Sequence, residues 1–481
     1  MRSVLRIASV ISIEITVATA AMLSSLRSVE ADTSPCACLE RFPPVAATGT
    51  NQSVPQPINE QVLRSTFFAD AADKGIYFRL FLNEEIAANP AGGIDQGITA
   101  SQYVTFGTDI DFERLVGWQG GALHALVIAE SSRGLNKEYI GGGVDAQENF
   151  SPFDFVRFLN FTLEQNISIS DDAKLNLQAG RMSVTPTFAT SQLTCLFMNH
   201  AFCGVLYGLP ESTAAAPAPL STWGGRAKLN LTPKIYVQFG AFAIDGNIFS
   251  PGTEIFDWGT GGVTGVDYLW EAGYESTFKN ASYPGYYRIG FSYLDAPSND
   301  VFLNSAGLPI INFGGTPLTH HGNTAFYMTA GQVIWRPDKV SRRYLALFGS
   351  IYYNFEDSNA IQYTLKGGIV KTGTFASRPS DTLDFGVAMI GFSSKEIEFL
   401  SAARRASGGS GRVPSEEVVL EVNYGYQVAP GVVVRPNLQY IINPDSRYTP
   451  NFRRDIPNAF VVGLQINVAA DTFFRLPHIG Q

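Results

Sequence analysis

From Glu416 to Val468 the chain alternates apolar and polar side chains with a period of two. In the first stretch Val418, Leu420, Val422, Tyr424, Tyr426 and Val428 fall on one face, and Glu417, Glu421, Asn423, Gly425 and Gln427 on the other. After Ala429-Pro430-Gly431, Val432, Val434, Leu438, Tyr440 and Ile442 share a face opposite Arg435, Asn437, Gln439 and Asn443. Phe460, Val462, Leu464, Ile466 and Val468 then oppose Gly463, Gln465 and Asn467. Successive side chains point to opposite sides only in an extended strand, so each stretch is a strand, and the very short turn makes the first two a hairpin. The pattern recurs earlier in the chain. Leu159, Phe161 and Leu163 alternate with Asn160, Thr162 and Glu164; Leu175, Leu177 and Ala179 with Lys174, Asn176 and Gln178; Ala227, Leu229 and Leu231 with Arg226, Lys228 and Asn230.

Alternation by itself suits any half-buried antiparallel sheet. Three details narrow it. The strand-like stretches run about ten residues, longer than the usual strand of soluble sheets. Tyr and Phe gather near their ends, as in the girdles of a membrane barrel. Tight turns (232–234, 429–431) alternate with long Gly-rich excursions (245–263, 295–322, 394–415), so short connections are sorted to one rim and long ones to the other.

No run of ~18 apolar residues follows residue 31, so no helix is available to cross a bilayer, and only helices or closed barrels satisfy the backbone in lipid. Charged residues make up 16% of the 481-residue chain, against roughly 25% in an average soluble domain. Mean hydropathy is nonetheless +0.04. Apolar residues facing out and polar residues facing in would average to such a value. The expected fold is therefore all-β: a transmembrane antiparallel barrel of about 16 strands around a water-filled channel. A net charge of −9 argues against a nucleic-acid partner.

Four segments are expected. Residues 1–31 read as a signal peptide, with Arg2 and Arg6 ahead of an apolar stretch. Residues 32–62, rich in Pro, Ser and Thr, read as a flexible periplasmic leader, residues 63–474 as the barrel with inward-folded loops, and residues 475–481 as a short tail. Phe474 is the expected end of the last strand. Of four cysteines, Cys36 and Cys38 are too close to pair without strain, whereas Cys195 and Cys203 are a candidate pair for one loop-closing disulfide.

Catalytic motifs are weak. His320-His321 lies in a Gly/Asn/Thr loop without metal-site spacing, residues 405–412 (RASGGSGR) lack the Lys-Ser/Thr of a phosphate loop, and no Gly-x-Ser-x-Gly occurs. Neither enzymatic chemistry, a metal nor a cofactor is expected.

An ordered series of short motifs is more specific. Lys74-Gly75-Ile76, Asn89-Pro90-Ala91-Gly92-Gly93 and Asp111-Phe112-Glu113-Arg114-Leu115 run into Gly117-Trp118-Gln119-Gly120-Gly121. RFLNFTLEQ (157–165), Ala179-Gly180-Arg181, Phe188-Ala189-Thr190-Ser191 and Leu196-Phe197-Met198-Asn199 follow, then Pro284-Gly285-Tyr286-Tyr287-Arg288-Ile289-Gly290 and PNLQYIINP (436–444). The series resembles the carbohydrate-selective porins of Gram-negative outer membranes (the OprB-like family) across nearly the whole mature chain. The resemblance implies a sixteen-stranded monomer in outer-membrane lipid, folded with the barrel-assembly machinery. It also implies facilitated diffusion of small neutral sugars, glucose being the usual one, past a constriction of inward-bent loops. Asn160 departs from the family's Glu in RFLNFTLEQ, and residues 203–210 replace a Phe-Gly-Trp-Pro-like segment.

A sugar needs replacement hydrogen bonds for its hydroxyls and apolar surface for its C–H faces. The expected lumen residues are Arg435, Asn437 and Gln439; Glu421 and Asn423; Arg226 and Lys228; Lys174, Asn176 and Gln178; and Asn160 and Glu164. Trp118 and Trp223, beside Gly pairs, are the expected aromatic surfaces. Two other readings stay open: a general or organic-acid-selective porin, and a secreted all-β carbohydrate-binding protein or glycoside hydrolase.

Overall fold

Sixteen antiparallel strands, each paired with its neighbours in sequence, close on themselves because the last pairs with the first. The computed structural model describes residues 66–479 apart from 150–152, 186, 192, 205, 211–215, 251–257 and 340. The segments expected as signal peptide and leader, with Cys36 and Cys38, lie outside the described residues.

The first eight strands are β1 Ile76–Ala91, β2 Ile98–Asp111, β3 Gly121–Ser132, β4 Phe155–Ser168, β5 Lys174–Met182, β6 Thr222–Asn230, β7 Ile235–Asp245 and β8 Val263–Glu275. The second eight are β9 Gly285–Asn304, β10 Pro317–Trp335, β11 Tyr344–Asn354, β12 Ile361–Thr372, β13 Thr382–Phe392, β14 Glu416–Ala429, β15 Val432–Ile442 and β16 Ala459–Ala469. Burial follows the sequence period. Along β14 Glu417, Val419, Glu421, Asn423 and Gln427 are buried toward the lumen, while Val418, Leu420 and Val422 face out. On β15 Arg435, Asn437 and Gln439 are buried between outward Pro436, Leu438 and Tyr440.

Connections sort by rim. Pro430-Gly431 alone joins β14 to β15; Gly431 has φ 73°, the left-handed conformation that this turn needs and that glycine tolerates. The longest loops, 133–154, 183–221 and 393–415, all join an odd-numbered strand to the next on the opposite rim. In outer-membrane barrels the short-turn rim is periplasmic.

Three boundaries differ from expectation. Much of 295–322 is strand, because β9 and β10 continue to Asn304 and from Pro317 with polar residues on both faces. Part of 394–415 is helix α2, Ser394–Ala406, whose first turn is capped by the Ser393 hydroxyl accepting the Glu396 N–H at 3.1 Å. The last strand ends at Ala469 rather than Phe474, and a helical turn follows. Near the other terminus, α1 (Thr66–Asp73) sets Phe67 and Phe68 against outward-facing Phe78 at the foot of β1, with ring centroids 5.7 and 5.3 Å from it.

The outer surface is unequal around the barrel. Exposed aromatics ring β7 to β15, among them Phe239, Trp270, Tyr287, Phe291, Tyr293, Tyr353, Phe385, Tyr426 and Tyr440. The interior is not simply wet. Phe188, Phe197, Met198, Phe202, Leu206 and Leu209 of the 183–221 loop form one apolar cluster with Phe242, Tyr327, Phe348, Tyr352 and Ile390 of the inner wall. That buried apolar surface holds the loop inside the barrel.

Candidate functional site

The loop between β5 and β6 crosses the lumen by a series of hydrogen bonds from backbone to wall. At its start the Gln238 carboxamide donates to Thr187 O at 2.8 Å. Glu271 accepts the Ala189 N–H at 2.9 Å, and the Arg288 guanidinium donates to Thr190 O at 2.6 Å. Glu271 is itself held by Tyr236 and Gln238, at 2.8 and 2.7 Å, and by Tyr327 at 3.1 Å. The loop then reaches the far wall. Both oxygens of Glu421 accept N–H groups, from Met198 and Asn199, each at 2.9 Å. Asn423 donates to Leu196 O at 2.9 Å, and the Lys366 ammonium donates to Phe202 O at 2.5 Å. Between these anchors Cys195 and Cys203 are joined by a disulfide that ties off the loop's tip.

A second inward loop, 133–154, docks beside it. Gln439 accepts from the Asn199 side chain and donates to Ala146 O, at 2.9 and 2.8 Å, so it touches both loops. Gln147 donates to Glu85 O and Ser101, and the backbone N–H of Asn149 to the Glu85 carboxylate. Arg435 is 1% exposed and donates to Gln465 at 2.9 Å. Asn437 is buried over Gly463, close to the Met198 side chain.

The expected lumen residues therefore divide in two. Arg435, Asn437, Gln439, Glu421 and Asn423 face inward but lie under the two loops. The second group forms a polar ladder along β4, β5 and β6. Asn176 donates to Asn166 at 2.8 Å and accepts from Arg226; Gln178 donates to Thr162 at 2.8 Å; Glu164 accepts from Asn166 at 2.8 Å. The Lys228 ammonium sits 3.6 Å from the Tyr236 ring centroid. Asn160 is half-buried on the same inner face, and Lys174 is exposed at the strand's short-turn end.

Both tryptophans are corrections. Trp118 lies in the turn before β3, 43% exposed and stacked on Phe112 at 5.4 Å, so it is at the short-turn rim. Trp223 shares the outward parity of Ala227 and Leu229, and its indole N–H donates to Trp258 O at 3.2 Å outside the lumen. A neighbouring Gly pair carries no information on which face a residue takes.

Residues not singled out from the sequence do much of the anchoring: Glu271, Arg288, Tyr236 and Lys366. Each is an ionisable or hydroxyl group at an inward position between outward apolar neighbours, as Glu271 is between Trp270 and Ala272. Nearer the short-turn rim, Asp109 joins Arg79 at 3.1 Å and His124 at 2.7 Å, giving a charged band across β1 to β3.

The comparisons agree with this architecture. The model of the carbohydrate-selective porin (OprB) family matches residues 95–469. Porin B of Pseudomonas aeruginosa is 26% identical over 413 residues, spanning 82% of this chain and 87% of that protein. A putative porin, QuiX, of Acinetobacter baylyi is 22% identical over 414 residues, spanning 82% and 89%. The high-pH structure of Pseudomonas putida OprB superposes with a TM-score of 0.74 at 27% identity, covering 83% of this chain and 95% of that one. Sixteen strands closed into a barrel, with alternation that turns its apolar residues outward, and a family match over most of the chain lead to one conclusion: the protein is a Gram-negative outer-membrane porin of the carbohydrate-selective OprB family.

Proposed function

We propose that the chain is a passive channel, not an enzyme, through which glucose or a related monosaccharide reaches the periplasm. The observation that carries this reading is the loop strung across the lumen by Glu271, Arg288, Lys366 and Glu421, opposite a polar ladder on β4 to β6. A loop so placed narrows the pore. The ladder offers Arg226, Lys228, Asn176, Gln178, Glu164 and Asn160 as hydrogen-bonding groups for hydroxyls. Arg226 suits the task, since a guanidinium fork can donate to two sugar oxygens at once. Binding must stay weak for release, so the passage acts as a filter and not a tight receptor.

Liposome swelling with glucose, a disaccharide and a carboxylate of similar size tests the proposal, together with single-channel conductance during glucose titration. Glucose is expected to enter fastest and to reduce ion current in a saturable manner. Faster entry of the carboxylate, or no effect of glucose on the current, would favour an organic-acid or general porin.

A further inference from the structure

The chain runs on past the foot of its last strand. β16 ends at Ala469, as the family match does, and a helical turn follows, Ala470–Phe473. The Ala469 N–H donates to Gly431 O at 2.7 Å, which roots the turn on the tight connection between β14 and β15. Beyond it the chain reverses. The Arg475 N–H donates to Thr472 O at 3.0 Å and the Leu476 N–H to Asp471 O at 2.8 Å, the bond pattern that closes a helix with a left-handed residue. That residue is Arg475, with φ 55°. The segment is thereby folded back on its own helical turn instead of trailing away from the rim.

The reversal aims it inward. Parity along β1 places Arg79 in the lumen with Asn83 and Glu85, and Arg79 donates to Asp109 of β2 at 3.1 Å. The Asp471 carboxylate lies 4.0 Å from the Arg79 guanidinium. Burial holds the His478 imidazole below its ordinary value, and the charged groups that act on it are Asp471, Arg79 and Asp109. Two of those three stand on the inner wall. From Asp109 the charged band continues through His124 to Glu164, at 2.7 and 3.7 Å, and so spans β1 to β4 near the short-turn rim. Leu476, Pro477, His478 and Ile479 are each half-buried, as a tail lying free in water would not be.

The hold on this segment differs in kind from that on the 183–221 loop. The loop hangs on fully buried groups such as Glu421, whereas the side chains of Arg79 and Asp471 keep 20% and 10% of their surface exposed and their ion pair is long. Ion pairs open to water are worth little. A segment held so lightly can be displaced while the barrel stays closed. We propose that residues 470–479 form a flap over the periplasmic mouth, latched by Asp471 on Arg79. The flap is a second narrowing of the passage, separate from the one made by the inward loops, and a solute meets it last.

Thiol modification during single-channel recording tests this, in a background with Cys36→Ser and Cys38→Ser, where Cys195 and Cys203 stay joined. With His478→Cys, a bulky charged methanethiosulfonate added on the short-turn side should lower the current of each open channel in an irreversible step. The same reagent at Phe67→Cys, exposed on the outside of that rim, should leave the current unaltered. A chain ended after Phe474 keeps β16 and the helical turn. It should conduct more than the parent while retaining heat-modifiable gel mobility, the mark of an intact barrel. Asp471→Asn, which keeps the tail but discharges its end of the ion pair, should flicker between the parent level and that of the shortened chain. Unaltered current after labelling at 478, equal steps at 478 and 67, parent conductance in the shortened chain, or a steady parent level in Asp471→Asn would overturn the proposal. These readings use ion current alone, so they stand whichever solute the channel passes.

Discussion

The wall built from β12 to β16 and β1 and the wall built from β4 to β6 carry the same alternation of residues, yet they do opposite work. On the first, Lys366, Glu421, Asn423, Gln439 and Glu85 spend their hydrogen bonds on loop backbone, and Arg435 is shut in behind them. On the second, Asn176, Gln178, Glu164 and Arg226 bond from strand to strand. A polar residue facing a lumen thus either brackets a loop or braces the wall from strand to strand. What separates the two is whether an orphaned backbone N–H or C=O from an inward loop lies above it, since such groups must be paired once water is excluded.

The sharpest way to break the comparison is to remove a bracket. Glu421→Ala leaves the N–H groups of Met198 and Asn199 without acceptors, a loss of about 3–5 kcal/mol from loop docking. Single-channel conductance should rise and become noisy, and added protease should cut between 183 and 221. Unchanged conductance would mean that the loop is held by its apolar cluster alone.

One residue away the effect should be of another kind. Leu420→Lys puts a charge on the lipid face, costing ~2–4 kcal/mol near the midplane. Urea unfolding in detergent-free liposomes should show lower barrel stability, with the conductance of folded channels unaltered.

A ladder residue should behave differently from both. Arg226→Ala is expected to weaken glucose block of the current by about threefold to tenfold, the equivalent of roughly one hydrogen bond. Barrel stability should stay within error of the parent. Proportional losses in sugar block and in ion conductance would make Arg226 a wall residue without sugar contact.

The smallest effect expected is a pH dependence at the junction of the two loops. Burial raises the Glu148 carboxyl to about 7, against the pull of the Arg435 guanidinium, with the Glu421 carboxylate adding to the rise. The docked loop therefore holds a proton that the undocked chain, near the ordinary 4.5, has released. Docking is firmest at acid pH and weakens as pH climbs from about 4.5 to about 7. Protease resistance of the 133–154 loop should fall over that window, and Glu148→Gln should flatten the profile. An opposite slope would place an ionised carboxylate in the docked state.

The strands were legible because lipid imposes one apolar face on each of them, as the run from Val418 to Val468 shows. Where that constraint ends, legibility ends with it. β9 and β10 rise beyond the apolar band with residues such as Asp295, Asn299 and Asn323, and residues 295–322 therefore read as loop although much of that stretch is strand. The division of the inner wall was hidden for a different reason. Whether Glu421 is a bracket depends on Met198 and Asn199, more than 200 positions away, and the period of two records only the face a residue takes. Trp118 and Trp223 are assigned to the lumen by their glycine neighbours, which say nothing about the face, whereas the parity that Trp223 shares with Ala227 and Leu229 turns it outward. Lys366 and Glu271 were readable in principle, as charges inside otherwise apolar strands.

Closure of β1 on β16 has a consequence for timing. Asn83 bonds Asn467 across a sequence separation of 384, and Gln465 bonds Glu85 across 380. These seam contacts join the two ends of the described barrel, so their loop-closure entropy must be met before they reward the chain. The cylinder cannot be completed until its final strand has been made and delivered, and until then β1 and its growing neighbour each present an open edge. Because Glu85 also holds Asn149 of an inward loop, sealing the seam and seating that loop become one late, cooperative step. A passage across the membrane would then come into being with its filter already in place.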